Sequence, residues 1–226
     1  VSDFVSYIAR QKSAVVLSHN GSRYDHIFIA QEFLKQCPNK KIQFMANGNS
    51  ITALEIDKRI FFRDTYLFFK APLKSLPKIF SFDDRMKKQI YPYDFNRREN
   101  YEYSADEYPT IKWWIPQIQK MSPSEKASFT EWYNSVKENK FEFWSELRKY
   151  CQNDVDILSQ AAVTFRKTFS DQFGFECFNY VTISHLAFNL YRTVFNEPET
   201  IQLLRDFKEN TSVQAAGFLQ YCEQYY

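Results

Sequence analysis

The chain has 226 residues, of which 44% are hydrophobic and 19% aromatic, so it can bury a sizeable core and is not a disordered polymer. Its 29 basic and 27 acidic residues leave a net charge of +2, which excludes the overall positive field typical of duplex-binding proteins. Any contact with nucleic acid must therefore be a local groove. The 23 Phe and 15 Tyr residues suit either a Phe-rich core or a surface on which single-stranded bases stack, and composition does not separate the two.

The four cysteines are widely spaced and form neither a CxxC pair nor a zinc-binding pattern. Such scattered thiols are typical of a reduced, intracellular protein. No apolar run approaches the roughly 18 residues that span a membrane, so no membrane partner is expected. The sequence does not choose between the nucleus, a mitochondrion and a viral replication site.

The N-terminal segments alternate between helix and strand patterns. A short helix is predicted over residues 1–10, a buried strand over 13–18 and a second helix over 24–34. Residues 19–23, between that strand and that helix, have the composition of a turn.

A β-hairpin is predicted next, followed by a third strand. Residues 42–46 and 51–56 are strand-like and flank the turn 47–50, in which Asn-Gly supplies the positive φ of a hairpin turn. Residues 59–62 continue the pattern as the third strand.

The second half of the chain holds the clearest helical signals. Residues 80–123 show no long periodicity and are predicted to be an irregular insertion. Ser122 and Glu125 have the spacing of a capping box at a helix start. A long amphipathic helix is predicted over 141–169, and a shorter one over 183–194.

Asp154 lies on the apolar face of the long predicted helix. The apolar side chains that share this face are Phe143, Leu147, Cys151, Leu158, Ala162, Phe165 and Phe169. Burying a lone carboxylate is costly unless it is paired or coordinates a cation. Asp154 is therefore either neutralised by an Arg or a backbone amide, or it is a metal ligand, with Tyr150 one turn away on the same face.

Asp25 follows a predicted strand and turn and stands at the start of a helix. Active-site residues of α/β folds often occupy this place. A carboxylate in the first turn of a helix is equally explained by the helix dipole, and His19 and Asn20 can be simple turn formers.

The order and spacing of three segments together indicate a family resemblance. Residues 18–29 contain an Asn followed by a Tyr-Asp pair, and residues 150–154 contain a Tyr with an Asp four positions later. Between them, residues 64–80 begin with Asp-Thr-Tyr and continue through Pro-Leu-Lys-Ser-Leu. Together they resemble the second and third exonuclease motifs, and the intervening single-strand-binding segment, of protein-primed family B DNA polymerases. The resemblance is to the Maverick/Polinton, linear-plasmid and viral or organellar type, and it covers nearly the whole chain.

The resemblance implies both a fold and a parent function. The expected fold is α/β, ribonuclease-H-like (DnaQ-like), with a 3′–5′ exonuclease domain over 1–175 and a helical connector over 176–226 that leads toward a polymerase domain. The implied parent is a DNA-directed DNA polymerase of DNA replication, whose proofreading site hydrolyses single-stranded 3′ ends with two Mg²⁺ (or Mn²⁺) ions. The implied partners are a primer 3′ end, deoxynucleotides and a terminal priming protein.

The resemblance also assigns roles to single residues. Asp25 and Asp154 would be metal ligands, facing one another, and Tyr150 would orient the attacking water. The residues that would hold the single-stranded 3′ end in one groove are His19, Asn20, Tyr24 and Thr65. A Lys or Arg between the two motifs assists the family's chemistry, and the candidates are Lys88, Arg97 and Arg98.

Two family features are not found in the sequence. The first motif, Asp-x-Glu, should precede Asn20, but Asp3 is the only acidic residue there, so two of four metal-binding carboxylates are missing unless Asp3 or Asp64 substitutes. The polymerase motifs are also absent. The chain is therefore predicted to be an N-terminally incomplete piece that is inactive alone. The alternatives are a catalytically dead, transposon-derived module that binds single-stranded nucleic acid, and a stand-alone exonuclease of the same four-carboxylate superfamily.

Overall fold

Two units divide the chain in the computed structural model, which describes residues 1–83 and 86–197. The first unit is Val1–Leu186 and contains every predicted site residue; the second begins at Ala187. The predicted helical connector therefore falls only partly within the described residues, because 198–226 lies outside them.

A four-stranded mixed sheet carries the N-terminal part of the fold. Its strands are β1 (Ala14–Ser18), β2 (Ile42–Asn47), β3 (Ser50–Ile56) and β4 (Ile60–Asp64). They lie in the order β1-β4-β3-β2, with β1 parallel to β4 and the other pairs antiparallel. The hairpin between β2 and β3 turns at Gly48, whose φ of 57° is the left-handed conformation that Asn-Gly predicts. The mixed α/β class is thus confirmed.

Strand β1 differs from its prediction as a buried strand. It lies at an edge of the sheet as the structure describes it, with β4 as its hydrogen-bonded neighbour, and Val15 is 47% exposed. A short apolar run does not distinguish a buried strand from an edge strand that is covered on one face, and this caused the error.

Helices α1 (Ser2–Ile8) and α2 (Asp25–Gln36) pack on the sheet. Their buried side chains form one cluster with the strands, made of Val5, Ile8, Ala30, Phe33, Leu54, Ile56, Ile60 and Phe62. Phe28 and Leu34, which suggested the second helix by their apolar character, are exposed, whereas His26 is buried in their place.

The long helix is confirmed as α7 (Phe143–Phe173). The Glu142 side chain caps the start of α7 by accepting hydrogen bonds from the backbone amides of Trp144 and Ser145. The helix is followed by Gly174, where φ is 66°. Its buried face shifts along its length because it packs against three different clusters. Cys151 is therefore exposed, contrary to the prediction, and Ile157 and Ala161 are buried instead.

The predicted capping box is confirmed at the start of α6 (Pro123–Val136), where the Ser122 and Glu125 side chains each bond the other's backbone amide. The remaining α-helices of the described residues are short: α3 (Tyr66–Phe69), α4 (Leu76–Ile79), α5 (Ile115–Ile118) and α8 (Ile183–Leu190). None of the helices in the described parts of the chain is both long and apolar enough to cross a membrane.

In its described residues, the stretch 80–123 predicted to be irregular consists mainly of short 3₁₀ turns and helix α5, packed around an aromatic cluster. A two-residue strand, β5 (Ser104–Ala105), pairs with β6 (Phe141–Glu142). The cluster they enclose consists of Tyr91, Phe95, Phe141 and Phe143, with Tyr101, Tyr103, Tyr108, Trp113, Leu147 and Tyr150 packed against it. Much of the unusual aromatic content therefore forms a core.

Candidate functional site

The register of the two parallel strands brings the predicted motifs together. Ser18, the last residue of β1, lies opposite Asp64, the last residue of β4. The carboxyl ends of parallel strands commonly position binding and catalytic residues. The turn that follows β1 therefore lies against Thr65, which follows β4.

Asp64 holds this turn in place. Its carboxylate accepts hydrogen bonds from the backbone amides of Asn20 (2.7 Å), Ser22 (3.1 Å) and Tyr66 (2.9 Å), and from the Ser22 hydroxyl. Asp64 is almost completely buried. It is a structural residue of the turn, and the option that it completes a metal site is not supported. Asp3, the other option, is exposed on α1.

The turn is tight, which explains two of its residues. Asn20 has a φ of 64°, a left-handed conformation that Asn tolerates better than most residues. Gly21 is buried, and a Cβ atom there would overlap the Ser18 side chain and lie 3.2 Å from Asp25 Oδ2. The turn thus fixes where Asp25 begins α2.

His19 and Thr65 are hydrogen-bonded to each other. His19 Nδ1 lies 2.9 Å from Thr65 Oγ1, and His19 Nε2 donates to the Ala71 carbonyl oxygen (3.0 Å). Thr65 is fully buried and also lies 2.8 Å from the Ser18 carbonyl oxygen. The structure therefore places Thr65 behind His19, away from solvent.

Burial lowers the pKa of His19 below its usual value of 6.5. The Ala71 hydrogen bond opposes this change, and the charges of Asp64, Lys88 and Asp154 also act on the ring. The turn after β1 and the middle of α7 are therefore electrostatic neighbours.

His26 is a polar residue of this region that the sequence did not reveal. It is fully buried, with Nδ1 donating to the Ile51 carbonyl oxygen (2.8 Å) and Nε2 lying 3.1 Å from Ser18 Oγ. A histidine inside an amphipathic pattern gives no sign of burial, since only the tertiary neighbours supply its partners.

The residues of the third predicted motif surround an ion pair between Lys88 and Asp154. Lys88 Nζ lies 2.5 Å from both carboxylate oxygens of Asp154 and 4.7 Å from the centre of the Tyr150 ring. Both side chains are about three-quarters buried. Of the other basic candidates, Arg97 lies over Trp113 and Arg98 is exposed. Lys88 is the candidate that contacts residues of the third motif.

Tyr150 is fixed by a second tyrosine. Its hydroxyl lies 2.6 Å from that of Tyr93, a residue in the stretch without periodicity. Burial raises the pKa of Tyr150, and the Tyr93 hydroxyl and the Asp154 charge raise it further. Tyr150 thus stays protonated and can donate or accept a hydrogen bond.

Asp25 is exposed and makes no ion pair with any residue in 1–83 or 86–197. Two aromatic side chains flank it on the solvent side: Tyr24 is 61% exposed, and Phe28 is exposed one turn along α2. Exposed rings beside a carboxylate suit base stacking. The sequence did not predict Phe28 as a residue of the site. That Asp25 faces Asp154 stays a prediction.

The donor chemistry of Asp25 and Asp154 suits Mg²⁺ or Mn²⁺, which prefer carboxylate oxygen. Within the described residues, no group of three or more His, Cys, Asp or Glu side chains is placed to hold a metal ion. The assignment of Asp25 and Asp154 as metal ligands therefore stays a prediction.

The sequence matches the family model described as "DNA polymerase type B, organellar and viral" over residues 6–216. The chain belongs to this family. The chain is also similar to a probable DNA polymerase of Neurospora intermedia, with 28% identity over 93% of the chain and 22% of the relative. A DNA polymerase of Kluyveromyces lactis is 25% identical over 88% of the chain and 20% of the relative.

A probable DNA polymerase of Ascobolus immersus is 23% identical over 91% of the chain and 17% of its own length. The chain thus spans about a fifth of the length of these curated relatives. No solved structure matches it.

Proposed function

We propose that this chain is the proofreading region of a DNA-directed DNA polymerase that acts in DNA replication. In this role it holds a single-stranded 3′ end and contributes to 3′–5′ exonucleolytic hydrolysis. The observation that carries the proposal is the group formed by Lys88, Tyr150 and Asp154. The charges of Lys88 and Asp154 also act on His19, in the turn that precedes Asp25. The membership of the chain in the type B polymerase family supports the assignment of this group to DNA processing.

The proposed domain is a ribonuclease-H-like exonuclease over 1–175, followed by a connector over 176–226 toward a polymerase domain. The mixed sheet, with the motif-bearing turn at the carboxyl end of a parallel strand pair, supports this assignment.

Single-stranded DNA would lie along the outer side of the turn. Tyr24 and Phe28 offer exposed rings on which the last bases can stack, at about 1–3 kcal/mol per base. The Asn20 side chain would contact the same nucleotides. His19 and Thr65 would act through their mutual hydrogen bond, by keeping the turn in its binding conformation.

Hydrolysis would use the side chains on α7 and the segment before it. Tyr150 would orient the attacking water through its hydroxyl, which Tyr93 keeps in one position. Lys88 holds the Asp154 carboxylate and brings positive charge to the place where the phosphodiester reacts. Mg²⁺ or Mn²⁺ bound by Asp25 and Asp154 would supply Lewis-acid stabilisation of the phosphate oxygens.

Deoxynucleotides and a terminal priming protein are the further partners that we propose for the parent polymerase. A protein-primed enzyme would carry its first nucleotide on a protein hydroxyl. The test is covalent labelling of a protein by a radioactive deoxynucleotide in an extract that contains the parent polymerase, and no labelling would contradict protein priming.

The exonuclease assignment is tested by degradation of a 5′-labelled single-stranded oligonucleotide by the parent polymerase. Asp25→Asn and Asp154→Asn should each lower the rate by about 100-fold or more, because each removes charge stabilisation from the reacting phosphate. Asp156→Asn is the matched control, since Asp156 is exposed on the same helix and its side chain accepts a hydrogen bond from Gln152. Unchanged degradation by Asp25→Asn would contradict the assignment.

A second function, binding of single strands without cleavage, is favoured by two observations. Lys88 occupies both Asp154 oxygens, and the described residues hold no cluster of three metal ligands. In that case no 3′–5′ degradation is detected with Mg²⁺ or Mn²⁺, while Tyr24→Ala still weakens binding of oligo-dT more than binding of a duplex. Equal loss on both substrates would contradict the groove in either function.

A further inference from the structure

A cavity of about 750 Å³ adjoins the Lys88–Asp154 ion pair. The segment from Lys88 to Asp94 forms one wall, and residues of α5 and the first half of α6 form the other. Lys88 belongs to both the wall and the ion pair, so the cavity borders the candidate site. Its volume lies within the range of small-molecule binding sites.

The cavity wall combines aromatic rings with amide side chains. Tyr93 supplies exposed ring surface, the buried rings of Tyr91 and Phe129 line the cavity behind it, and Gln89 and Gln117 supply amides. Gln117 donates to the Tyr91 carbonyl oxygen (3.0 Å), which leaves its amide oxygen available as an acceptor. Rings that stack and amides that bond base edges are the groups with which proteins bind nucleobases.

The three lysines of the cavity wall differ in whether they form an ion pair. Lys88 is paired with Asp154, and Lys74 is paired with Glu125 (3.1 Å). Lys120 is exposed and makes no ion pair with any residue that the structure describes. With Asp94 and Glu125 as the acidic residues, the three lysines leave this wall with a net charge of +1.

Tyr91 adds an unused polar group. Only 4% of the residue is exposed, and its hydroxyl is buried without a hydrogen-bond partner among the described residues. Burial raises the pKa of Tyr91 to about 12, so the hydroxyl stays protonated and can donate. A buried donor without a partner is uncommon in proteins and suits a polar ligand.

We propose that this cavity binds a nucleoside 5′-monophosphate. The base packs against the exposed Tyr93 ring, and the phosphate lies toward Lys120 and Lys88. The inference rests on the proposed function, because a 5′-mononucleotide is what 3′–5′ hydrolysis releases beside Asp154. The released nucleotide would then bind in the cavity, away from Asp25 and Asp154.

The test is equilibrium binding of dTMP to the protein that carries this chain, in EDTA so that no metal ion bridges the nucleotide to the carboxylates. We expect dTMP to bind about tenfold more tightly than thymidine or inorganic phosphate, since only dTMP makes both sets of contacts. Lys120→Ala should weaken dTMP binding about tenfold and Tyr91→Phe by a smaller factor. Lys126→Ala is the control, because Lys126 is exposed on α6 outside the cavity.

Other variants separate this proposal from the proposed function. Asp25→Asn should abolish 3′–5′ degradation and leave dTMP affinity unchanged. If Asp25→Asn abolished dTMP binding, or if Lys120→Ala left it unchanged in a folded protein, the cavity would not be the nucleotide site. Binding of thymidine as tight as that of dTMP would also overturn the proposal. Nucleotide binding that depends on Lys120, in a protein with no nuclease activity, would overturn only the exonuclease assignment.

Discussion

The Lys88 ammonium lies 2.5 Å from each carboxylate oxygen of Asp154, although the two residues are 66 positions apart in the chain. Lys88 comes from a segment without regular structure, and Asp154 comes from the middle of the longest helix described. The same ammonium faces the Tyr150 ring. One cation therefore both neutralises the largely buried carboxylate and orders the third-motif residues around it.

Replacing Lys88 tests whether this cation assists hydrolysis. We expect Lys88→Met to lower single-strand degradation by the parent polymerase about 100-fold, because it removes a charge placed at the reacting phosphate. Binding of oligo-dT, measured by fluorescence anisotropy, should change far less. Arg97→Met is the matched control, since Arg97 lies over Trp113 instead. Equal effects of the two substitutions would show that only overall charge matters.

Tyr93 is expected to act through Tyr150. Tyr93→Phe keeps the ring and removes the hydroxyl that lies 2.6 Å from the Tyr150 hydroxyl. The degradation rate should fall about tenfold, the scale of one hydrogen bond, while KM for the oligonucleotide stays nearly constant. Tyr103→Phe serves as the comparison because its ring packs against Phe95 and Phe141 in the aromatic cluster. A change in KM alone would indicate that Tyr93 binds the strand directly.

Substitution of Asp64 should lower the stability of the protein, whereas substitution of Asp25 should lower its nuclease activity. Asp64→Asn replaces an acceptor of four hydrogen bonds in a buried site, so the free energy of unfolding should fall by about 3 kcal/mol. Asp25→Asn, at an exposed position, should leave that free energy unchanged in urea denaturation and lower nuclease activity. A stable Asp64→Asn variant that had lost only activity would identify Asp64 as a metal ligand.

Gly21 is required by the close approach of Ser18. Gly21→Ala should lower the free energy of unfolding by about 1–3 kcal/mol, as overpacking does elsewhere in proteins. In a Ser18→Gly background the obstructing side chain is gone, so the destabilisation caused by Gly21→Ala should largely disappear. A double-mutant cycle in urea measures this coupling. Additive effects would mean that the backbone conformation, rather than the contact, demands glycine.

His19 should make stability depend on pH. Its folded-state pKa is lowered, so the unfolded chain binds the proton more readily below the ordinary value of 6.5. The contribution of neutral His19 is complete above that value and is lost as pH falls through the folded-state pKa. Urea denaturation of the wild type should therefore show decreasing stability from about pH 7.5 to pH 5.5, and His19→Gln should show a smaller decrease. An equal decrease in both proteins would assign the effect to other groups.

The sequence by itself determined the local structure and the family. Asn-Gly at the hairpin, the capping box at Ser122 and the periodicity of α7 specify their elements through short-range chemistry, and the structure confirms each. The order of the motif segments also sufficed to identify the family that the residue 6–216 match shows.

Only the tertiary structure decided which side chains meet. The edge position of β1, the burial of Thr65 behind His19 and the exposure of Cys151 depend on neighbours distant in sequence. The choice of Lys88 over the arginines is of the same kind, because a segment without periodicity has no pattern from which its position can be predicted. The pairing of Lys88 with Asp154, 66 residues apart, depends on tertiary packing and charge, and local sequence propensity does not predict it.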